Sequence, residues 1–234
     1  MSLGLLGGTF DPIHVGHLAI AQEIIDRKLC DRILFIPAGS PPHRQNSVLT
    51  PIKHRHEMVR LAIADNPAFQ ISDIEIDGPS YSYQTVEAMR TMHDENTDLS
   101  FIIGLDNLFD LPNWREPQRI IKACDLIVVS RPGWAFESML EPQYSEFFGL
   151  NIELQYIEAL DAGTCNELVI HPKPGTDHSR SITLLRTAGN DVSASEIRAS
   201  IAEKQELHTL LPAPVESYIL SLRLYTTERI HPES

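Results

Sequence analysis

Short apolar runs alternate with stretches of helical period along most of the chain. Leu3 to Leu6, Arg32 to Ile36, Phe69 to Ile76, Leu99 to Ile103, Asp125 to Val129 and Glu167 to Ile170 read as strands, and several are too continuously apolar to be buried on one face only. Between them, His17 to Lys28 stacks Ile20 on Ile24 and Ala21 on Ile25 at i,i+4 spacing, and Pro51 to Ala64, Tyr83 to Met92 and Pro112 to Lys122 also read as helices. Strand and helix alternating in this way predict an α/β fold, a doubly wound parallel sheet with helices on both faces, whose ligands sit beyond the carboxyl ends of the strands.

One stretch breaks the rhythm. From about 134 to 190 the chain is rich in Pro, Gly and acidic residues and poorly periodic. It is expected to be a peripheral insertion with a short helix near Glu137 to Phe148 and one or two peripheral strands. No repeat or linker divides the chain, so a single domain over 1–234 is expected. Pro212 and Pro214 lead into Val215 to Leu224, a closing helix with proline near its first turn.

Composition narrows the function classes. The 234 residues are 42% hydrophobic and 22% charged, an ordinary globular balance. A formal charge of −13, from 19 Lys+Arg against 32 Asp+Glu, lacks the positive field of a sequence-independent nucleic-acid binder. Cys30, Cys124 and Cys165 are odd in number and widely spaced, which indicates neither a disulfide framework nor a CxxC site. The N-terminus has no basic leader and turns polar by Thr9, so it reads as a first strand, and no run reaches membrane-spanning length. A cytoplasmic location with no membrane partner is expected.

The candidate chemistry begins where the first strand ends. Gly7-Gly8-Thr9-Phe10-Asp11-Pro12-Ile13-His14-Val15-Gly16-His17 joins that strand to the first helix. Gly8 and Gly16 let the backbone approach a ligand, and the helix start offers unpaired N–H groups and a positive dipole end to an anion. The segment is neither GxGxxG nor GxxxxGK[ST], which excludes the dinucleotide fingerprint and the P-loop. His14 and His17, three apart at the helix start, can both face one anion. The alternatives are a packed or capping histidine beside an incidental one, or a zinc site, for which no nearby Cys supplies further ligands.

Further blocks carry polar groups to the same rim. Pro41-Pro42-His43-Arg44 follows the second strand and places a His and an Arg where a phosphate could be met. Gly104 and Asp106 end the fourth strand, where a carboxylate can accept hydrogen bonds from ribose hydroxyls or cap the next helix. Trp114 could stack on a flat ring or be structural. Ser193-Ala194-Ser195-Glu196 is a capping box in which Ser193 caps and Glu196 reaches back, while Ser195 and Arg198 share a helical face at an anion-attracting end.

Together, Gly7 to His17, Pro41 to Arg44, Ser80 to Thr85, Phe101 to Asp106, Leu111 to Trp114, Arg131 to Gly133 and Val192 to Arg198 resemble, in order and spacing, the (H/T)xGH nucleotidyltransferases. Within these the chain looks most like the bacterial nicotinate-nucleotide adenylyltransferases. The resemblance covers most of the chain. It implies a Rossmann-like sheet of nucleotidyltransferase type and transfer of AMP from ATP to nicotinate mononucleotide, giving deamido-NAD and pyrophosphate.

It further implies catalytic roles for His14, His17 and Arg198, and contacts to ATP from Gly7, Gly8, Thr9, Phe10, Gly16, Gly104, Asp106, Ser193 and Ser195. The acceptor would meet His43, Arg44, Ser82, Tyr83, Thr85, Trp114 and Arg131, its carboxylate held by the backbone N–H groups of Ser82 and Tyr83. Mg²⁺ is expected as MgATP, with no protein metal ligand, and a homo-oligomer is compatible with the sequence. A phosphate monoester is already a nucleophile at neutral pH, so the protein's task is positioning and electrostatic stabilisation. The rival readings are the same chemistry on nicotinamide mononucleotide or phosphopantetheine, or a catalytically silent nucleotide-binding module. The Leu-Pro-Asn-Trp and Arg-Pro-Gly blocks favour a pyridine mononucleotide.

Overall fold

A computed structural model of the protein describes residues 1–40, 49–78, 80–94, 96–150, 152–173, 180–187, 192–205 and 209–226. Its strands, β1 (Ser2–Gly8), β2 (Arg32–Pro37), β3 (Phe69–Ile71), β4 (Asp98–Gly104), β5 (Asp125–Val129), β6 (Glu167–Ile170) and β7 (Ile182–Leu185), form one sheet in the order β3-β2-β1-β4-β5-β7-β6. All pairings are parallel except the antiparallel β6–β7 pair at one edge. β1 lies between β2 and β4, so strand order reverses beside it, the place where such sheets open a crevice for ligands.

Both faces are covered, as the continuous apolar runs require. Along β1, Leu3 and Leu5 join one core with Leu99, Phe101 and Ile103 of β4, Leu126 and Val128 of β5, and Val86 and Met89 of helix α3 (Ser82–Met92). Leu6 joins the opposite core with Ile33 and Phe35, Ile102, Ile24 of α1 (Val15–Asp26), Met58 and Val59 of α2 (Ile52–Ile63), Ile197 of α8 (Ala194–Ala202) and Val215 of α9 (Ala213–Ser221). Successive strand side chains point to opposite faces, so one strand serves both cores.

Several expected elements have different bounds. β3 stops at Ile71 because the chain turns there: Ser72 N–H pairs with Phe35 O, the Ser72 hydroxyl accepts from Ile74 N–H, and Ile76 N–H bonds back to Asp73 O. Serine and aspartate favour such local turns. Helix α4 (Leu105–Asp110) precedes the helix expected over Pro112 to Lys122, which is two pieces: a 3-10 turn at Leu111–Asn113 and α5 (Pro117–Ala123). Glu116 at φ 54 separates them, and Pro117 suits the first turn of α5.

The stretch expected to be a peripheral insertion contains a 3-10 turn at Phe136–Leu140, α6 (Pro142–Phe147), α7 (Leu154–Asp161), β6 and β7. α7 was not expected, and of the one or two strands expected to be peripheral, β7 lies inside the sheet. All four β7 residues are buried between β5 and β6, so this part of the stretch belongs to the sheet. Three apolar residues between Arg180 and Arg186 are too few to declare a period.

Candidate active site

The β1–α1 loop leaves the sheet at its carboxyl edge, where Gly7 and Gly8 pair with Ile36 and Pro37. Phe10, at φ 46, turns its ring inward. The ring is buried and lies where a Cβ on Gly8 would sit 3.2 Å away, and it meets the His17 ring nearly at right angles with the centroids 5.1 Å apart. Phe10 therefore packs beneath His17 as part of the core.

His14 is the N-cap of α1, in extended conformation. Its backbone N–H donates to His17 Nδ1 at 3.3 Å, and the two rings lie 3.7 Å apart. An Nδ1 that accepts carries no proton, so neutral His17 keeps its N–H at Nε2. His14 Nδ1 is buried with no hydrogen-bond partner among the described residues. At the same helix start Val15 N–H is taken by Leu210 O, while Gly16 N–H has no partner among the described residues, one of the orphan donors of a first helical turn. Burial, and then the Arg131 charge, push the His14 pKa down to about 4. Burial, and then His14 and Arg131, hold His17 well below the ordinary imidazole value. Both rings are neutral donors at neutral pH, not cations.

These histidines line a cleft of about 380 Å³ with Gly16 and Ile20 of α1, Ser130, Arg131, Pro132, Trp134 and Phe136 beyond β5, Asp161 ending α7, Arg186 and Thr187 beyond β7, and Val192 before α8. The cleft thus occupies the carboxyl ends of β1, β5 and β7. Asp161 is committed to structure, its two oxygens accepting Phe136 N–H and Glu137 N–H, each at 2.9 Å. Ser130 Oγ accepts Thr187 N–H at 3.1 Å, tying the two strand ends together. Arg131 Nε lies 3.5 Å from Asp106 Oδ1, and neither atom has a hydrogen-bond partner among the described residues. Both crowd over Gly104, where a Cβ would come within 2.4 Å of the carboxylate and 2.7 Å of the guanidinium. Gly104 itself is the N-cap of α4, so Asp106 stands in the first turn and is not the cap.

The expected capping box on α8 is not closed reciprocally. Ser193 caps, but its Oγ accepts from Ser195 N–H at 3.2 Å, and Glu196 is exposed. Arg198 donates to Ser195 Oγ at 3.1 Å and to Asp11 O at 2.7 Å, linking α8 to the β1–α1 loop. Ser193, Ser195 and Arg198 flank the cleft beside Val192 without lining it.

Of the expected acceptor residues only Arg131 lines this cleft. His43 and Arg44 lie outside the described residues. Ser82 and Tyr83 begin α3, and their N–H groups have no backbone acceptor among the described residues. Tyr83 is buried beneath the Arg119 guanidinium, 4.6 Å from the ring centroid, and buried Thr85 donates to Glu75 Oε1. Trp114 donates to Asp110 Oδ2 at 3.0 Å and meets the Phe101 ring edge-on at 6.5 Å. Phe101 in turn approaches Gly7, where a Cβ would lie 3.9 Å from its ring. These residues occupy the other side of β1 and β4 from the histidine pair.

Residue reasoning missed Asp11, Arg55 and Tyr225. Arg55 is 1% exposed and donates to Thr50 O, Thr9 O and Gly39 O at 2.8, 2.7 and 3.2 Å. Its signal was available: Arg55, Met58 and Val59 share the i, i+3, i+4 buried face of α2, and a buried arginine needs partners.

Comparison with known proteins agrees with this geometry. Residues 5–200 match the cytidylyltransferase-like family model. A protein of Geotalea daltonii bearing the name probable nicotinate-nucleotide adenylyltransferase is 38% identical, covering 98% of this chain and 100% of its own. One of the same name from Pelobacter propionicus is 40% identical over 97% and 99%. The fold is shared with the nicotinic acid mononucleotide adenylyltransferase of Plasmodium falciparum, solved with NaAD, at a TM-score of 0.67, 18% identity and coverage of 96% and 97%. The chain belongs to the nicotinate-nucleotide adenylyltransferase family, within the cytidylyltransferase-like group.

Proposed function

We propose that the protein transfers the adenylyl group of MgATP to nicotinate mononucleotide, releasing pyrophosphate and forming deamido-NAD. The observation that carries the reading is the neutral pair His14 and His17, stacked at the start of α1 on the wall of a cleft at the strand ends. A phosphate oxygen of the acceptor attacks the α-phosphorus, the bond to the bridging oxygen of pyrophosphate breaks, and charge builds on the equatorial oxygens. Preorganised donors aimed at that charge lower the barrier. The histidine N–H groups and Gly16 N–H supply them, with Thr9 assisting from the Gly7–Gly8 turn. Ser193, Ser195 and Arg198 hold the departing pyrophosphate from the α8 end.

Asp106, pinned over Gly104, takes ribose hydroxyls, and Arg131 takes the acceptor phosphate. The carboxylate of the acceptor is assigned to the N–H groups of Ser82 and Tyr83 at the start of α3, with Trp114 for the pyridine ring and His43 and Arg44 as further phosphate contacts. Mg²⁺ arrives as part of its substrate, and among the described residues no group of three His, Cys, Asp or Glu is placed to hold a metal. No helix among the described residues is long and apolar enough to cross a membrane.

The test is pyrophosphate release from MgATP with nicotinate mononucleotide, nicotinamide mononucleotide and phosphopantetheine in parallel. Fastest turnover with the nicotinate acceptor is expected. Preference for either other acceptor would reassign the substrate, and ATP binding without turnover on any of them would overturn the enzymatic reading.

A further inference from the structure

The loop that carries the histidines is fastened at one residue that plays no part in the reaction above. Asp11 is 3% exposed. Its carbonyl oxygen accepts from Arg198 Nη1 at 2.7 Å, its Oδ2 from Thr50 N–H at 3.3 Å, and its Oδ1 from the Tyr225 hydroxyl at 2.6 Å. Three segments far apart in sequence therefore converge on the residue three before His14. Arg55, buried beside them, grips Thr9 O on one side of Asp11 and Thr50 O on the other.

Tyr225 has the longest reach of the three. It follows α9, and the chain delivers it through left-handed conformations at Arg223 (φ 51) and at Tyr225 itself (φ 64). Non-glycine residues adopt such angles only where the surroundings enforce them. The ring packs against the core shared by α1, α2, α8 and α9, which would hold the segment without any hydroxyl. The hydroxyl adds a charge-assisted hydrogen bond to a buried carboxylate, short and directional.

We propose that Tyr225 is a positioning residue, whose hydroxyl fixes Asp11 and so holds His14 and His17 at the start of α1 in register with Arg198 on α8. The proposal rests on the adenylyl-transfer reading for its kinetic consequence but not for its structural one. Displacing reacting groups by about an ångström costs on the order of a hundredfold in rate, so loss of one of three tethers is expected to lower kcat about tenfold.

Tyr225→Phe removes the hydroxyl and keeps the ring. With MgATP and nicotinate mononucleotide, kcat is expected to fall about tenfold while both KM values stay within about twofold. Leu224→Ala is the control: half-buried Leu224 packs the same segment on the same core but does not touch Asp11. It is expected to lower thermal stability and leave kcat unchanged at temperatures where the protein is folded. Equal kcat losses in the two variants, or an unchanged kcat in Tyr225→Phe, would overturn the proposal.

Ring ¹⁵N shifts of His14 and His17 in the ligand-free protein supply a second reading that needs no acceptor. Tyr225→Phe is expected to change the Nδ1 and Nε2 protonation pattern of His17, because His17 Nδ1 is engaged only while the loop holds the His14 N–H against it. Identical ring spectra in wild type and Tyr225→Phe would sink the proposal even if the enzyme used another acceptor. Turnover failing in the wild type, with the ring spectra altered as expected, would count against the adenylyl-transfer reading alone.

Discussion

His17 accepts the backbone N–H of His14 at its Nδ1, 3.3 Å away, and this single contact sets the chemistry available to the site. With Nδ1 occupied as an acceptor, the proton of neutral His17 resides on Nε2. His17→Ala removes that donor, and turnover with MgATP is expected to fall by about 10²–10³, as for other single donors to a developing oxyanion. His17→Asn, whose side-chain amide can also donate, is expected to recover part of the loss. Steady-state kcat for the two variants checks this, and near-normal turnover in His17→Ala would sink the assignment.

The depressed histidine pKa values have a stability consequence. His14 titrates near 6.5 when unfolded and near 4 when folded. Between those values the unfolded chain binds the extra proton, so stability rises with pH through the window and is lost as pH falls from about 6.5 toward about 4. Below both values the loss from His14 is complete, on the order of 3 kcal/mol. Carboxylates titrate in part of the same range, so the check is a difference: the pH dependence of urea unfolding in wild type minus that in His14→Gln. A flat difference between pH 4 and 6.5 would refute the burial of a neutral ring.

Much of this site was legible from the chain because its parts are local. A strand ending in two glycines, followed by a histidine at each end of a four-residue helix start, specifies a strand-to-helix turn that brings two histidines together at the helix start without reference to the rest of the molecule. The α/β class was equally legible, since buried parallel strands have no polar face to interrupt them. What could not be read is what depends on distant segments meeting. Phe10 is quoted in the motif as an ATP contact, yet its ring is core. For Asp106 the chain left open a ribose contact or a helix cap, and only the fold, with Gly104 as the cap, removes the second. The Asp11 fastening joins positions 11, 50, 198 and 225, and no periodicity encodes such a convergence. The bounds and interior place of β7 were hidden for the opposite reason, the strand being too short to show a period.

Gly104 is expected to tolerate no side chain. A methyl group there would lie 2.4 Å from Asp106 Oδ1 and 2.7 Å from Arg131 Nε, so one or both must withdraw. Backbone strain is not at issue, because Gly104 has the ordinary extended φ of −71. Gly104→Ala should therefore fold normally but lose about tenfold in kcat/KM for the acceptor, equivalent to about 1.4 kcal/mol. Arg131→Ala combined with Gly104→Ala should be no worse than Arg131→Ala alone, since the pair is already broken. Additive losses in that double-mutant cycle would place the effect of Gly104 elsewhere.

Arg55 provides the strongest stability prediction. Its guanidinium satisfies carbonyl oxygens of Thr9, Gly39 and Thr50 at once, and its charge sits beside the buried Asp11 carboxylate. Burial works against that charge and lowers the Arg55 pKa, with Asp11 pulling the other way. Replacing it with Met fills similar volume but leaves three carbonyls without a donor and one carboxylate without a cation. Removing one partner of a buried charge pair costs about 3–5 kcal/mol, well above the usual loss from a single neutral hydrogen bond. Arg55→Lys restores the charge but not the fork that spans three carbonyls of the β1–α1 and β2–α2 connections, and an intermediate loss is expected. Denaturant unfolding of the two variants should order them wild type, Lys, Met. A Met variant as stable as wild type would mean that the two connections hold their places without the arginine.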